Sequence, residues 1–281
     1  MVNGFLIINK SSGMTSHDVV NKIRKLFNIR QVGHTGTLDP NATGVLILAL
    51  GKATKAISYL ENDDKIYEAE LTLGTTTDTE DIWGNVLEEK EVNISDVQII
   101  EVIKSFIGNI EQVPPMYSAL KVKGKKLYEL AREGVTVERV ARDITIFDIS
   151  NIERDKNKVS FTVHCSKGTY IRTLCKDIGE KLGCGACMSA LNRIKVGNFD
   201  IKDSGIIDNV TENDLIDLEI PLRKYEAIYL FGDEAKKYIN GVKINIGRND
   251  DLYRIYLDNK FYGIGKIEKG ILKSEKCLTD L

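Results

Sequence analysis

The feature that most constrains this chain is the way its hydrophobic period changes along its length. Lys65 to Leu73 alternates, with Tyr67, Ala69, Leu71 and Leu73 on one side, the pattern of a strand with one buried face. Asp143–Ser150 and Lys158–His164 alternate in the same way. Other segments follow helical spacing. Ser16–Phe27 places Val19, Val20, Ile23, Leu26 and Phe27 on one stripe behind Ser16 as N-cap. Ser95–Phe106 follows a capping Ser95, and Tyr170–Leu182 turns Ile171, Leu174, Cys175 and Ile178 inward. Gly4–Asn9 reads as a buried strand and Val45–Leu50 as a continuous apolar run. Gln31–Asn41 reads as a Gly-rich loop, Ala53–Leu60 as a short helix and Thr75–Gly84 as a polar turn.

Two stretches break this pattern. Lys121–Arg142 is Lys-rich, holds Gly124 and Gly134, and has a helical centre at Leu127–Arg132, so it reads as an arm inserted in the main domain. From about Asp203 the chain becomes short segments separated by turns. Asn240-Gly241, Asn249-Asp250-Asp251 and Asp258-Asn259 are hairpin-type signals, and Tyr253–Leu257, Lys260–Ile267 and Ile271–Lys276 read as strands. The predicted organisation is a main domain over residues 1–224, with its arm at about 121–142, and a small β-rich domain over 225–281.

Bulk properties exclude several classes. No stretch approaches the ~18 unbroken apolar residues of a membrane span. The first ten residues have neither the basic region nor the cleavage site of a secretory signal, so the expected setting is cytoplasmic. Five cysteines, an odd number, argue against a disulfide framework. Cys184-Gly-Ala-Cys187 has no second pair, and His17, His34 and His164 have no ligand-like spacing, so buried or idle thiols are expected. The net charge of −2 offers a polyanion nothing, but its distribution does. Residues 1–60 carry seven Lys/Arg against two Asp, residues 61–120 carry three against fourteen acids, and residues 121–142 carry seven against three. Basic blocks on either side of an acidic one suit a protein with one face toward nucleic acid, and also fit a mixed solvated surface.

Asp39 lies in Gly33-His34-Thr35-Gly36-Thr37-Leu38-Asp39-Pro40. Pro40 biases Asp39 toward extended backbone, and the glycines allow a tight turn close to a ligand. Such a segment is either a plain turn or a loop presenting a carboxylate nucleophile or base. Arg172 could keep a nearby carboxylate ionised or form an ordinary ion pair. Tyr67 and Tyr170 could stack on a base or fill a core. The residues alone therefore reach a carboxylate enzyme acting on nucleic acid. A catalytically silent RNA-binding or RNA-chaperone protein and a carboxylate hydrolase using Asp81 stay open beside it.

Taken together the motifs go further. Asn9-Lys10 with Gly13-Met14-Thr15-Ser16 comes first, then Gly33 to Gly44 and Lys65-Ile66-Tyr67. Leu73-Gly74 follows, with Thr77-Asp78-Thr79 and Asp81, then Pro114 to Lys121 with Gly124-Lys125. Cys165 to Leu174 and Leu182 to Ala186, leading to Leu191, complete the series. In this order the chain resembles the TruB family, the tRNA pseudouridine-55 synthases, over about residues 4–199. The resemblance implies an α+β pseudouridine synthase fold. A central mixed or antiparallel sheet would be flanked by helices, with an RNA-clamping arm and a small PUA-like C-terminal domain. It implies Asp39 as the catalytic aspartate, Tyr67 stacked on the target base as a candidate for proton transfer, and Arg172 paired with the carboxylate. Asp81 would join that network, Leu191 would line the uracil pocket and His34 would fill the space beside the flipped nucleotide. Lys10, Lys55 and Tyr170 match positions close to the site. Lys121, Lys123, Lys125, Lys126 and Arg132 of the arm would meet phosphates of the tRNA T-arm stem-loop. No metal or cofactor is implied, since the base is retained and reattached. A monomer with no obligate protein partner is expected. Cys187 departs from the family, standing where a larger aromatic or imidazole side chain is expected.

Overall fold

The computed structural model describes residues 2–61, 63–122 and 124–279, so Lys123 lies outside the described residues. The architecture is α+β. The chain forms two compact units, one of Met1–Pro40, Gly44–Asn62 and Asn198–Leu281, the other of Asn41–Thr43 and Asp63–Gly197.

In the first unit the apolar run becomes the strand Thr43–Leu50, buried from Gly44 onward. It pairs antiparallel with Gly4–Lys10 in the register Gly4↔Leu50 to Lys10↔Gly44. A short strand, Val32–His34, also pairs with it, inside what reads from sequence as loop. The helix Ser16–Leu26 is capped by Thr15, not Ser16. Thr15 Oγ1 accepts from the Asp18 amide at 3.1 Å, and Asp18 returns the bond to the Thr15 amide at 2.9 Å. This is the reciprocal box that satisfies two orphan donors of a helix start. The expected helix at 53–60 is a 3-10 turn, Gly51–Ala56, running into one α-turn, Ile57–Leu60.

The same unit holds a five-stranded sheet in the order Ala227–Leu230, Leu252–Leu257, Lys260–Glu268, Ile271–Cys277, Ile244–Asn245. The first pair is parallel and the rest antiparallel. Its core gathers Ile228, Leu230, Tyr238, Ile255, Ile267 and Leu272, and it is the PUA-like part of the chain. Asp258 and Asn259, at φ 47° and 65°, form the expected two-residue hairpin. Asn240-Gly241 does not: it ends a helix, Gly232–Ile239, with Gly241 at φ 74°. Gly in that left-handed position terminates helices as readily as it turns hairpins.

The second unit is built on an antiparallel sheet in the order Ala186–Val196, Lys65–Leu73, Lys158–Cys165, Arg142–Asp155, Gly108–Gln112. Lys65–Leu73 buries every odd residue, as its alternation requires. The long strand Ala186–Val196 has no simple alternation to read, because its register shifts at Met188/Ala190 and again at Arg193/Lys195. The helix Ile171–Leu182 packs on that strand and against the helix Asp96–Lys104. Gly179 sets this contact: the Gly185–Ala186 backbone leaves no room, since a Cβ there would lie 2.1 Å from the Ala186 nitrogen. In the arm, Leu127–Arg132 is helical as expected, and Lys121–Val122 pairs with Lys125–Lys126. Arg139 Nη1 donates to the Pro114 carbonyl at 3.0 Å and closes the arm at its root.

Gly179→Ala must push the Ile171–Leu182 helix off the sheet. The expected loss is about 1–3 kcal/mol of stability, read by urea unfolding.

Candidate active site

Asp39 is half-buried, on a loop held from three directions within its own unit. Lys10 is fully buried at the end of the Gly4–Lys10 strand. Its ammonium donates to the carbonyls of Ser11 at 2.9 Å, Met14 at 2.8 Å and Pro40 at 3.0 Å. The Gly13 amide donates to the same Pro40 carbonyl at 3.0 Å. Ser16 is buried and embraces Leu38: its hydroxyl donates to the Leu38 carbonyl at 3.1 Å and accepts from the Leu38 amide at 2.9 Å. Leu38, 3% exposed, is anchored in the core. Both residues flanking Asp39 are thus fixed by buried polar side chains, which leaves the carboxylate on a rigid peptide.

In the second unit Arg172 stands on the first turn of the Ile171–Leu182 helix and is 6% exposed. Its guanidinium donates to the carbonyls of Thr79 at 3.1 Å and Tyr117 at 2.7 Å, and pairs with Asp81 at 3.7 Å. The Asp81 carboxylate accepts from Thr79 Oγ1 at 2.7 Å and from the Trp83 amide at 3.2 Å. Glu80, beside it, has φ 64°, a conformation non-glycine residues seldom take. It is held there by Thr173, whose hydroxyl donates to Glu80 Oε2 at 2.7 Å. Asp78 locks the far side of the turn, accepting from the Asn85 amide at 2.8 Å and its side chain at 2.9 Å. The polar stretch read as a turn is therefore a cradle for one arginine.

Tyr67 is buried and lies opposite Arg193, while Leu191 lies opposite Ala69. Tyr67 and Leu191 are diagonal neighbours on one face of the strand pair. Leu191 also borders a cavity of about 510 Å³ with Asn41, Trp83 and Asn192. Tyr170 is half-buried at the start of the Arg172 helix. His34 is half-buried on its short strand. Lys55 is exposed and donates to the Cys277 carbonyl at 3.4 Å, toward the PUA-like sheet of its own unit. In the arm, Lys121 is exposed, Lys125 pairs with Glu133 at 3.5 Å, and Lys126 and Arg132 both lie over the Tyr128 ring.

One buried basic residue without a sequence signal, Arg193, lies opposite Tyr67. Arg193 and Lys65 are buried basic groups on neighbouring strands. Burial, then the Arg193 charge, holds the Lys65 ammonium below its ordinary value. Buried charge opposite an aromatic strand position is a tertiary fact that a single sequence does not announce. The cysteines are free, with Cys165, Cys175, Cys184 and Cys187 buried. Burial, helped by Asp81, pushes the Cys187 thiol up to about 11, so it is uncharged at neutral pH.

The family described as TruB family pseudouridylate synthase (N terminal domain) matches residues 24–171, and the tRNA pseudouridylate synthase B C-terminal domain matches residues 172–228. The chain belongs to the TruB family of pseudouridylate synthases. A tRNA pseudouridine synthase B of Alkaliphilus oremlandii (strain OhILAs) is 48% identical over 278 residues, covering 94% of this chain and 93% of the relative. One of Clostridium perfringens (strain 13 / Type A) is 46% identical over 293 residues, covering 99% and 100%. Among solved structures, a Cbf5–Nop10–Gar1 complex is similar with a TM-score of 0.74 and 27% identity, over 98% of this chain and 85% of that one. An archaeal box H/ACA Nop10–Cbf5 complex has a TM-score of 0.72 at 24% identity, over 98% and 86%, a likeness of fold. This TruB-family chain is thus a pseudouridine synthase.

Lys10→Met keeps the aliphatic stem but removes the ammonium that joins the Ser11, Met14 and Pro40 carbonyls. The expected cost is ~1–3 kcal/mol, measured by chemical unfolding. Activity should fall further than the folded fraction does, because the Pro40 carbonyl adjoins Asp39.

Proposed function

We propose that this chain isomerises uridine 55 in the T-loop of tRNA to pseudouridine, with Asp39 as the catalytic carboxylate. The observation that carries this reading is near full-length identity of 46–48% with relatives named tRNA pseudouridine synthase B. The rigid mounting of Asp39 supports it, since a nucleophile gains most from a fixed approach.

Asp39 engages the C1′ side of the target nucleotide as the glycosidic bond breaks. The uracil stays bound, rotates, and rejoins C1′ through C5, and the C5 proton leaves to solvent. Atoms balance without a cofactor or metal, because the leaving base is also the entering one. A uridine inside a folded loop must first be flipped out, at a cost of roughly a few kcal/mol. Tyr67 offsets ~1–3 kcal/mol by stacking on the base and is the candidate for proton transfer. Leu191 lines the uracil pocket and His34 fills the vacated space. Arg172, oriented by Asp81, keeps the reacting carboxylate anionic. Lys10 serves through the loop it anchors, and Tyr170 and Lys55 lie in the surroundings. Lys121, Lys123, Lys125, Lys126 and Arg132 of the arm meet T-arm phosphates. Residues 1–224 form the catalytic domain and 225–281 an RNA-binding module, acting as a cytoplasmic monomer without an obligate protein partner.

The test is release of tritium from C5-labelled uridine in a T-arm hairpin. Asp39→Asn should lower turnover by roughly 10³-fold or more while hairpin binding persists. Full activity in that variant would sink the mechanism. Binding without release by the unmutated protein would mark a silent RNA reader, and free uracil a hydrolase. Replacing Lys121, Lys125 and Lys126 by Gln should lower the slope of log affinity against log salt by about 2, at ~0.7–0.9 per phosphate contact.

A further inference from the structure

The helix that carries Arg172 has an unusual beginning. Its N-cap, Tyr170, has extended backbone and no side-chain cap bond. Ordinary helices use Ser, Thr, Asp or Asn at this position to satisfy their first amides. Here the peptide groups of Tyr170 are taken by a residue 58 positions earlier. Gln112 Nε2 donates to the Tyr170 carbonyl at 3.0 Å, and Gln112 Oε1 accepts from the Tyr170 amide at 2.8 Å. Gln112 is 2% exposed and ends the edge strand Gly108–Gln112. Both halves of its amide are spent on one residue's backbone, which fixes that residue in two directions as a single bond could not.

The same segment reaches Arg172 a second way. Five residues after Gln112, the Tyr117 carbonyl accepts from Arg172 Nη2 at 2.7 Å. Between them, the Pro114 carbonyl accepts from Arg139 at the return of the arm. The root of the basic arm therefore holds Arg172 at its backbone, through Gln112 and Tyr170, and at its guanidinium, through Tyr117. A cap would bond the first helical amides; Gln112 instead bonds the backbone of the residue that precedes them. This ties the direction in which the arginine leaves the helix to the strand from which the arm springs.

We propose that Gln112 is a positioning residue for Arg172, setting the helix start so that the guanidinium stands at its working angle and joining that angle to the root of the arm. The proposal rests on the role given to Arg172 above. Gln112 touches no substrate; it acts through Tyr170 and Arg172. Displacement of a catalytic group by ~1 Å costs on the order of 10²-fold in rate, so its loss should appear in turnover more than in binding.

The experiment compares Gln112→Glu and Gln112→Leu with the full-length chain. Glutamate can still accept from the Tyr170 amide but sets its second oxygen against the Tyr170 carbonyl. Leucine keeps the bulk and no hydrogen bond. C5 tritium release, hairpin affinity and thermal midpoint are measured on the same preparations. The expected result is a fall in kcat of about 10- to 100-fold in at least one variant, with hairpin affinity within about twofold. In an Arg172→Lys background the same substitution should add little, because its effect passes through that side chain. An unchanged kcat in both variants overturns the proposal. So does a fall in kcat matched by an equal loss of hairpin affinity or of folded protein, which would make Gln112 a structural fastener and nothing more. Full activity of Arg172→Ala would instead overturn the role of Arg172 itself.

Discussion

One buried ammonium organises the loop that carries Asp39. Lys10 sits fully enclosed at a strand end and satisfies three carbonyls from two separate stretches, residues 11–14 and Pro40. A buried charge is tolerated only when it is well bonded, so these chain segments must meet in one geometry or leave the charge exposed to a large penalty. Ser16 adds a neutral version of the same device on Leu38. The run from Lys10 to Ser16 is therefore the mounting of the Asp39 loop. Its glycine, threonine and serine each perform a separate backbone task.

The second unit reaches the same end by other means. Arg172 is surrounded by carbonyls and one carboxylate from two loops, Thr79–Asp81 and Tyr117. Its neighbours in sequence are held as well, Tyr170 by Gln112 and Thr173 by Glu80. A guanidinium with several donors in a rigid plane suits this task better than a flexible ammonium would. The strain of the positive φ at Glu80 is compensated by that network.

The charge pattern takes on a different meaning in this light. Residues 61–120 look like an acidic surface unsuited to RNA. Several of those acids are internal fittings: Asp78 locks a turn, Glu80 and Asp81 serve Thr173 and Arg172, and Glu70 binds Lys158 and Ser189. Lys121, Lys125, Lys126 and Arg132 of the arm, by contrast, are carried on a short hairpin and helix. Net charge summed over the chain averages these two populations and hides the difference.

Period, turn chemistry and motif order were legible in the sequence because each is a local property. The odd-residue burial of Lys65–Leu73, the helix at Leu127–Arg132 and the Asp258-Asn259 hairpin follow from spacing and backbone preference within a few residues. The tertiary structure decided what the local signals left degenerate. Asn240-Gly241 suits a hairpin or a helix end, and packing of Gly232–Ile239 chose the helix end. Ser16 beside Thr15 suits a cap, but only Thr15 caps, because Leu38 claims Ser16. Two register shifts conceal the strand Ala186–Val196 from any alternation count. Which carbonyl a buried lysine, serine or glutamine satisfies depends on partners 22 to 58 residues away. Those partners are neighbours only after the chain has folded, so the local elements could be read early and these contacts could not.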